Sequence, residues 1–255
     1  MSAQDGRPGR GSDALNLPAG FRLEIHESLP STSDLLLERA RGGEPEGLAI
    51  LARRQTAGRG TAARRWESPS GNLYLSLLLR PGGPIREAPQ WALLAAVALA
   101  ETLAPLLPDA QALRLKWPND ALLHGAKLAG ILAEASADAE GRVAWLVLGI
   151  GVNLAHAPAL PDRPTAALPP PAPAPEDVAA SLLQAIDRWR AIHAQNGLAP
   201  VRAAWSALGP APGAPLTVRQ GGSMLTGRFA GLGEDGSLLL ATDAGLRAIV
   251  AGEIA

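Results

Sequence analysis

Three short segments carry side chains whose types and spacing could do chemistry. In "QTAGRGTAARRW" (55–66), Arg59, Arg64 and Arg65 stand among Gly58 and Gly60, and the run ends on Trp66. Arginine forks and glycine-freed backbone amides are receptors for phosphate or carboxylate, and Trp66 stands where an aromatic ring could stack on a base. Taken alone, the loop reads equally well as a solvated basic connector. In "LKWPND" (115–120) a strand end breaks into a turn that presents Asn119 and Asp120, and "KLAGILAE" (127–134) follows. Lys127 there enters an apolar strand, where an unpaired ammonium is costly to bury, so it needs an anion or a place at the strand end. Gly130 inside that strand marks close approach of a ligand. The third segment, "GIGVN" (149–153), sets Gly151 inside a strand ahead of Asn153. It lacks the third glycine and helix start of a dinucleotide fingerprint, and no P-loop pattern occurs anywhere.

These segments need a scaffold, and the flanking sequence supplies one. "FRLEIHE" (21–27) alternates as a strand, and "STSDLLLERARG" (31–42) reads as a hydroxyl-capped helix closed by glycine. "GLAILARR" (47–54) and "NLYLSLLLRP" (72–81) read as buried strands on either side of the arginine loop, with a buried helix over 88–107. Short apolar runs at 113–120, 127–137 and 142–154 add further strands of one sheet. The proline-rich stretch 156–176 is a surface loop, and helices follow at 176–197 and 199–209. Beyond "PAPGAP" (210–215), short strands joined by Gly-Gly, Glu-Asp-Gly and Asp-Ala-Gly turns predict a small β-barrel of four or five strands. The expected organisation is α+β: a disordered tail over 1–16, a mixed sheet packed with helices over 17–209, and the small barrel over 210–255.

Composition removes several classes of function. The 255 residues carry a net charge of −1, so no global field recruits nucleic acid or an anionic membrane. There is no cysteine, hence no disulfide, thiolate nucleophile or thiolate metal site. The four histidines, His26, His124, His156 and His193, show no metal-ligand spacing. Glu101 and Pro105 interrupt the apolar run 91–107 before it could span a bilayer. The N-terminus has no apolar signal core, and the expected location is cytoplasmic.

With these pieces in place, the chain resembles the biotin protein ligases, also called biotin–[acetyl-CoA-carboxylase] ligases. The matching segments are "STS" (31–33), "RQTAGRG…RRWESPSGNLYLSLLLRP" (54–81), "LKWPND" (115–120), "KLAGILAE" (127–134), "GIGVN" (149–153) and "FAGLGEDGSLLL…AGEI" (229–254), in family order over most of the chain. The resemblance implies a class II synthetase-like catalytic fold with an SH3-like barrel at the C-terminus. It implies ATP-dependent activation of biotin to biotinyl-5′-AMP with release of pyrophosphate, then transfer to a lysine. That lysine belongs to the biotin carboxyl carrier domain of acetyl-CoA carboxylase or another biotin-dependent carboxylase. Carried over residue by residue, it assigns Ser31, Thr32, Ser33, Gln55, Gly58, Arg59, Gly60, Thr61, Lys127, Gly130 and Gly151 to biotin. Arg59, Arg64, Trp66, Asn119, Lys127 and Asn153 go to ATP, with Trp66 on adenine. Arg59, Lys127 and Asp120 are the catalytic set, and Asp120 is also the candidate ligand for Mg²⁺ on the nucleotide. Residues 55–66 become a lid over the adenylate. Some relatives carry an N-terminal DNA-binding domain; about 20 residues precede the first strand here, so no DNA partner is expected. A homodimer is compatible with the sequence.

The loop departs from the family pattern Gly-Arg-Gly-Arg-x-Gly-Arg-x-Trp: Thr61 stands for an arginine and Ala63 for a glycine. One lost charge-assisted hydrogen bond is worth roughly 1.5–3 kcal/mol, so the expectation is faster leakage of biotinyl-AMP than from relatives with arginine there. Ser33 also stands where asparagine is frequent. Two rival readings are a lipoate ligase or octanoyltransferase on the same fold, and a sensor that binds without turnover. The "KWPND" turn, the Gly-Arg-Gly loop and the C-terminal barrel favour biotin over the first, and the phosphate-neutralising cations argue against the second.

Overall fold

The computed structural model describes residues 15–61, 64–161 and 163–254. Of the tail expected over 1–16, residues 1–14 lie outside that set. Leu15 and Leu17 pack against the core, and the Asn16 carbonyl accepts from Gln184 Nε2 at 2.6 Å.

Seven strands form one mixed sheet: β1 (Arg22–His26), β2 (Leu48–Ala52), β3 (Leu73–Leu79), β4 (Leu113–Lys116), β5 (Asp120–Leu123), β6 (Ala126–Ala137) and β7 (Val143–Val152). Their spatial order is β1-β2-β3-β7-β6-β5-β4, with β1 and β2 parallel and every other neighbour antiparallel. β2 (LAILA) and β3 (LYLSLLL) are buried along their whole length. Burial on both faces is the reason they are apolar without alternation. The apolar run over 113–120 holds only β4 and the expected turn; β5, which was not expected, starts at Asp120 and completes a hairpin. Pro118 has no N–H to give a ladder, so the chain turns at Trp117–Asn119 and sets Lys116 opposite Asp120.

On one face lies α1 (Thr32–Arg41), begun by Ser31, whose Oγ accepts from the Asp34 amide at 3.2 Å. Its Leu36, Leu37 and Ala40 pack on Leu48, Ile50, Leu78 and Val147. Each fully buried leucine of such a stripe contributes about 1.5–3 kcal/mol. The other face carries α2 (Gln90–Leu103), α3 (Pro175–Asn196) and α4 (Ala199–Leu208). Pro175 opens α3 where a missing N–H costs nothing, and Gly197 closes it at φ +65°. The stretch Ile85–Leu106 is long and apolar enough to cross a membrane, yet most of it is buried in this fold. It is the central core helix.

The C-terminal segment forms β8 (Pro215–Gln220), β9 (Ser223–Leu232), β10 (Leu238–Thr242), β11 (Gly245–Ile249) and β12 (Glu253–Ile254). They pair antiparallel in the order β11-β10-β9-β8-β12. β11 and β12 are consecutive in the chain yet sit at opposite edges. Flat, those edges would be roughly 19 Å apart at about 4.7 Å per strand. The connection from Ile249 to Glu253 spans at most about 14 Å. The sheet must therefore curl into a barrel. Its Val218, Phe229, Leu232 and Leu238 belong to the same apolar cluster as the main sheet. Trp117 Nε1 donates across the junction to the Gly236 carbonyl at 3.2 Å, and Arg202 Nη2 to the Leu232 carbonyl at 2.8 Å.

Candidate active site

The α1 face of the main sheet is only half core. α1 covers Ile50, Leu78 and Val147; further along the strands, register sets Ser76, Gly149 and Leu132 in one cross-strand row. The next row holds Tyr74, Gly151, Gly130, Asp120 and Lys116. Glycines at the centre of both rows leave a trough that no side chain of the sheet itself fills. That trough opens into a cavity of about 460 Å³ walled by Ser31, Thr32, Gln55, Arg59, Trp66 and Lys127, among others. Much of that space is open to solvent, and the Trp66 ring fills most of the rest.

One end is a string of neutral polar groups. Ser33 Oγ and Ser76 Oγ lie 3.1 Å apart, and Ser76 Oγ donates to Thr32 Oγ1 at 2.8 Å. Gln55 Oε1 accepts from the Thr32 amide at 2.8 Å and from Thr32 Oγ1 at 3.1 Å, while its Nε2 donates to Ser68 Oγ at 3.0 Å. Ser68 Oγ in turn donates to the Trp66 carbonyl at 3.0 Å. An added Cβ on Gly149 would sit 2.5 Å from Ser33 Oγ, so only glycine leaves room for that hydroxyl.

The arginine loop folds over the trough as two arms, 55–61 and 64–66; Ala62 and Ala63, and with them the expected glycine-to-alanine departure, lie outside the described residues. The Trp66 amide donates to the Gly58 carbonyl at 2.9 Å and the Gly60 amide to the Arg64 carbonyl at 2.7 Å, with Arg59 bridged to Arg65. The Trp66 indole lies flat in the glycine trough: a Cβ on Gly151 would be 2.6 Å from its Cε2, and one on Gly130 3.1 Å from its Cζ3. Lys127 Nζ stands 5.5 Å from the ring centroid. Such a contact over an aromatic face is attractive by about 0.5–2 kcal/mol.

Lys127 also pairs with Asp120, Nζ to Oδ1 at 2.6 Å, both side chains largely buried. No other donor reaches that oxygen among the described residues. Behind this pair a second cleft of about 1000 Å³ opens between β4–β6 and the edge of the barrel, lined by Lys116, Asp120, Lys127, Arg163, Arg219 and Glu253 among others. Lys127 thus stands at the passage between the two. Burial pushes the Lys116 ammonium below its ordinary pKa; Asp120 and Glu253 pull it back up, and Arg163 and Lys127 add to the lowering. Arg64 reaches Glu253 with both nitrogens, Nη1 to Oε1 at 2.9 Å and Nη2 to Oε2 at 3.0 Å, which fastens the loop to β12.

Of the expected residues, the structure gathers Ser31, Thr32, Ser33, Gln55, Arg59, Gly60, Thr61, Trp66, Asn119, Lys127, Gly130 and Gly151 around the first cavity. Gly58, Arg64, Asp120 and Asn153 are not in its wall. Gly58 packs against the Trp66 carbonyl and Ser68, so its missing side chain makes room for the loop itself. Arg64 is engaged by Glu253, and Asp120 faces the second cleft. Asn153 donates to the Ala166 carbonyl at 3.0 Å and pins the 163–168 segment, with its Oδ1 buried and without a donor. Sequence reasoning missed Ser76, Lys116, Arg163, Glu253, Asp34 and Glu134. Ser76 left a signal, as the one aliphatic-hydroxyl residue in an otherwise apolar strand; Lys116, Glu134 and Glu253 stood inside the quoted segments, but their type alone did not mark them out.

A cavity with a neutral polar end, an ammonium at its far end and a basic cleft beyond is an arrangement for joining an acid to a nucleotide: fold and site define an acid-activating ligase. Residues 25–153 match the Biotin/lipoate A/B protein ligase family, and 213–255 match the Biotin protein ligase C terminal domain. The chain belongs to that family. The biotin–[acetyl-CoA-carboxylase] ligase of Paracoccus denitrificans is 40% identical over 213 residues, covering 80% of this chain and 88% of that protein. The bifunctional ligase/repressor BirA of Bacillus subtilis is 34% identical, covering 92% of this chain and 74% of its own. Among solved structures, the Aquifex aeolicus biotin protein ligase in complex with biotin and ATP matches with a TM-score of 0.77 at 26% identity, covering 91% and 97% of the two chains.

Proposed function

We propose that the described cavity takes biotin and the basic cleft takes the phosphates of ATP, meeting at Lys127. The enzyme is a biotin–[biotin carboxyl-carrier protein] ligase: it forms biotinyl-5′-AMP with release of pyrophosphate and then transfers the biotinyl group to a carrier lysine. The observation that carries the assignment of parts is the double membership of Lys127, whose side chain borders both spaces. Thr32, Ser31 and Gln55 offer donors and acceptors to the ureido ring; the Trp66 indole rests in the glycine trough, so it must swing aside for the thiophane ring and valeryl chain to enter there. That directs the carboxylate to the ammonium.

Attack of a carboxylate on the α-phosphate brings two anions together, so the barrier falls with positive charge placed in advance at the meeting point. Lys127 supplies it there. Lys116, Arg163 and Arg219 supply it along the departing pyrophosphate. The buried Asp120 oxygen without a second donor suits a hard cation, and Mg²⁺ is commonly held by one or two carboxylates plus substrate phosphates. Among the described residues no three acidic or histidine side chains cluster to hold a resident metal. Mg²⁺ would thus arrive with the nucleotide, held by Asp120, and would neutralise phosphate charge. Trp66 and the loop arms exclude water from the mixed anhydride once it forms.

The same reading places the enzyme in the cytoplasm, where ATP and carboxylase carrier domains meet, with a biotin carboxyl carrier domain as its protein partner. Incubation with ATP, Mg²⁺, labelled biotin and a purified carrier domain tests it. Label on the carrier lysine is expected; label that accumulates only with lipoate or octanoate in place of biotin would refute the substrate.

A further inference from the structure

Arg59 lines the biotin cavity, but its guanidinium is committed elsewhere. Nε pairs with Asp34 Oδ1 at 2.8 Å, and Nη2 donates to Glu134 Oε2 at 2.5 Å. Asp34 belongs to the first turn of α1 and Glu134 to the middle of β6, so the side chain spans from one wall of the cavity to the other. Lys127 Nζ stays beside Gly130. Glu134 lies four residues further along that strand, about 13 Å at roughly 3.3 Å per residue. The acid that holds the Arg59 guanidinium is thus set well along the strand from the one that holds Lys127, Asp120.

We propose that Asp34 and Glu134 are positioning residues that act through Arg59: together they clasp the loop arm 55–61 over the bound intermediate and set how long biotinyl-AMP is retained. The inference rests on the reading of the cavity as the biotin site. A guanidinium has five N–H donors in a rigid plane. Two carboxylates bound to Nε and Nη2 fix that plane and leave Nη1 engaged by neither. Carboxylates on opposite walls resist rotation of the side chain in a way that a single partner cannot. With both carboxylates supplied by protein, Arg59 fastens its arm to the walls of the cavity before any ligand arrives. The opposite arm is fastened independently by Arg64 on Glu253.

The test is a double-mutant cycle read by stopped-flow release of preformed biotinyl-AMP. Glu134→Gln and Asp34→Asn are expected each to speed release about three- to fivefold, the scale of a partly exposed ion pair. In an Arg59→Met background, already fast, neither acid substitution should change the rate further, because residues that act through one another are not additive. Biotin affinity at equilibrium and thermal midpoint should stay close to wild type in the two acid variants, and Asp34→Glu should restore slow release. Unchanged release in both single variants overturns the clasp, and so does equal acceleration with and without Arg59. Slower release overturns it too, since it would mean the acids compete with the ligand for the guanidinium. If wild-type protein forms no adenylate at all from ATP, Mg²⁺ and biotin, the reading of the site fails, which is a different result.

Discussion

Lys127 is held by Asp120 on one side and by the Trp66 face on the other, so its charge is stored at the passage between the two cavities before any ligand arrives. Removing it in Lys127→Ala leaves a buried carboxylate uncompensated. The expected cost is about 3 kcal/mol in unfolding, with adenylate formation reduced on the order of a hundredfold or more. Pyrophosphate release and chemical denaturation measure the two, and Lys127→Ala/Asp120→Ala should recover the stability without the activity. Recovery of both would show that the ammonium has no chemical role. The glycines offer a second contrast. Gly151→Ala must push against the Trp66 indole at 2.6 Å, whereas Gly60→Ala meets nothing nearer than 3.5 Å. Weaker biotin binding, by about tenfold, and a red-shifted tryptophan emission are expected for the first and neither for the second. Equal behaviour of the two variants would mean that the ring does not rest in the trough.

At the level of elements, the loop is strung between α1 and β6 by one arginine and β12 by another. Thr61 supports the second tie: its carbonyl accepts from Arg64 Nε at 3.1 Å and its Oγ1 from Nη2 at 3.0 Å, which aims the fork at Glu253. Thr61→Arg exchanges that support for an added cation near the phosphates, and slower release of biotinyl-AMP, by roughly ten- to a hundredfold, is expected. Equal off-rates would reject it. Burial alone would raise the Glu253 carboxyl, but the Arg64 fork, with Arg163 and Lys116 behind it, outweighs burial and holds it below its ordinary value. A depressed carboxylate stabilises above its unfolded pKa and is lost only as pH falls through the folded one. The β12 tie is thus complete at neutral pH and gives way only in acid, below the ordinary glutamate range. Glu253→Gln should release the arm at every pH, visible as faster adenylate loss at pH 7.

The basic cleft exists only because barrel and main sheet are docked, and it has a pH signature of its own. Lys116 is lowered chiefly by burial. A polyphosphate entering the cleft favours the ammonium form, so ATP binding should take up protons around the pH where the lowered Lys116 titrates, and affinity should fall as pH rises through it. Calorimetry over a series of alkaline pH values, in two buffers of different ionisation enthalpy, measures the uptake, and Lys116→Met should abolish it. No uptake in the wild-type protein would place the phosphates elsewhere. The shared apolar cluster and the Trp117–Gly236 hydrogen bond mean that barrel and main sheet are packed as one body.

Much of this was legible residue by residue. Apolar periodicity is a local property, so α1, α2, α3, β2, β3, β6 and β7 could be placed from the chain alone. Residue type alone left "GRGTAARRW" equally open to a basic connector and an anion receptor; the resemblance carried by six segments in order assigned the roles there and at "KWPND". The turn at "KWPND" was legible from its proline, but β5 after it was not, because its 4 residues are shorter than the window that periodicity needs. What only the tertiary structure decided is the partner of each charge. Arg59 finds Glu134 75 residues away and Arg64 finds Glu253 189 residues away. Coulomb attraction depends on distance through space, which sheet order and barrel curl set, and no spacing along the chain encodes it.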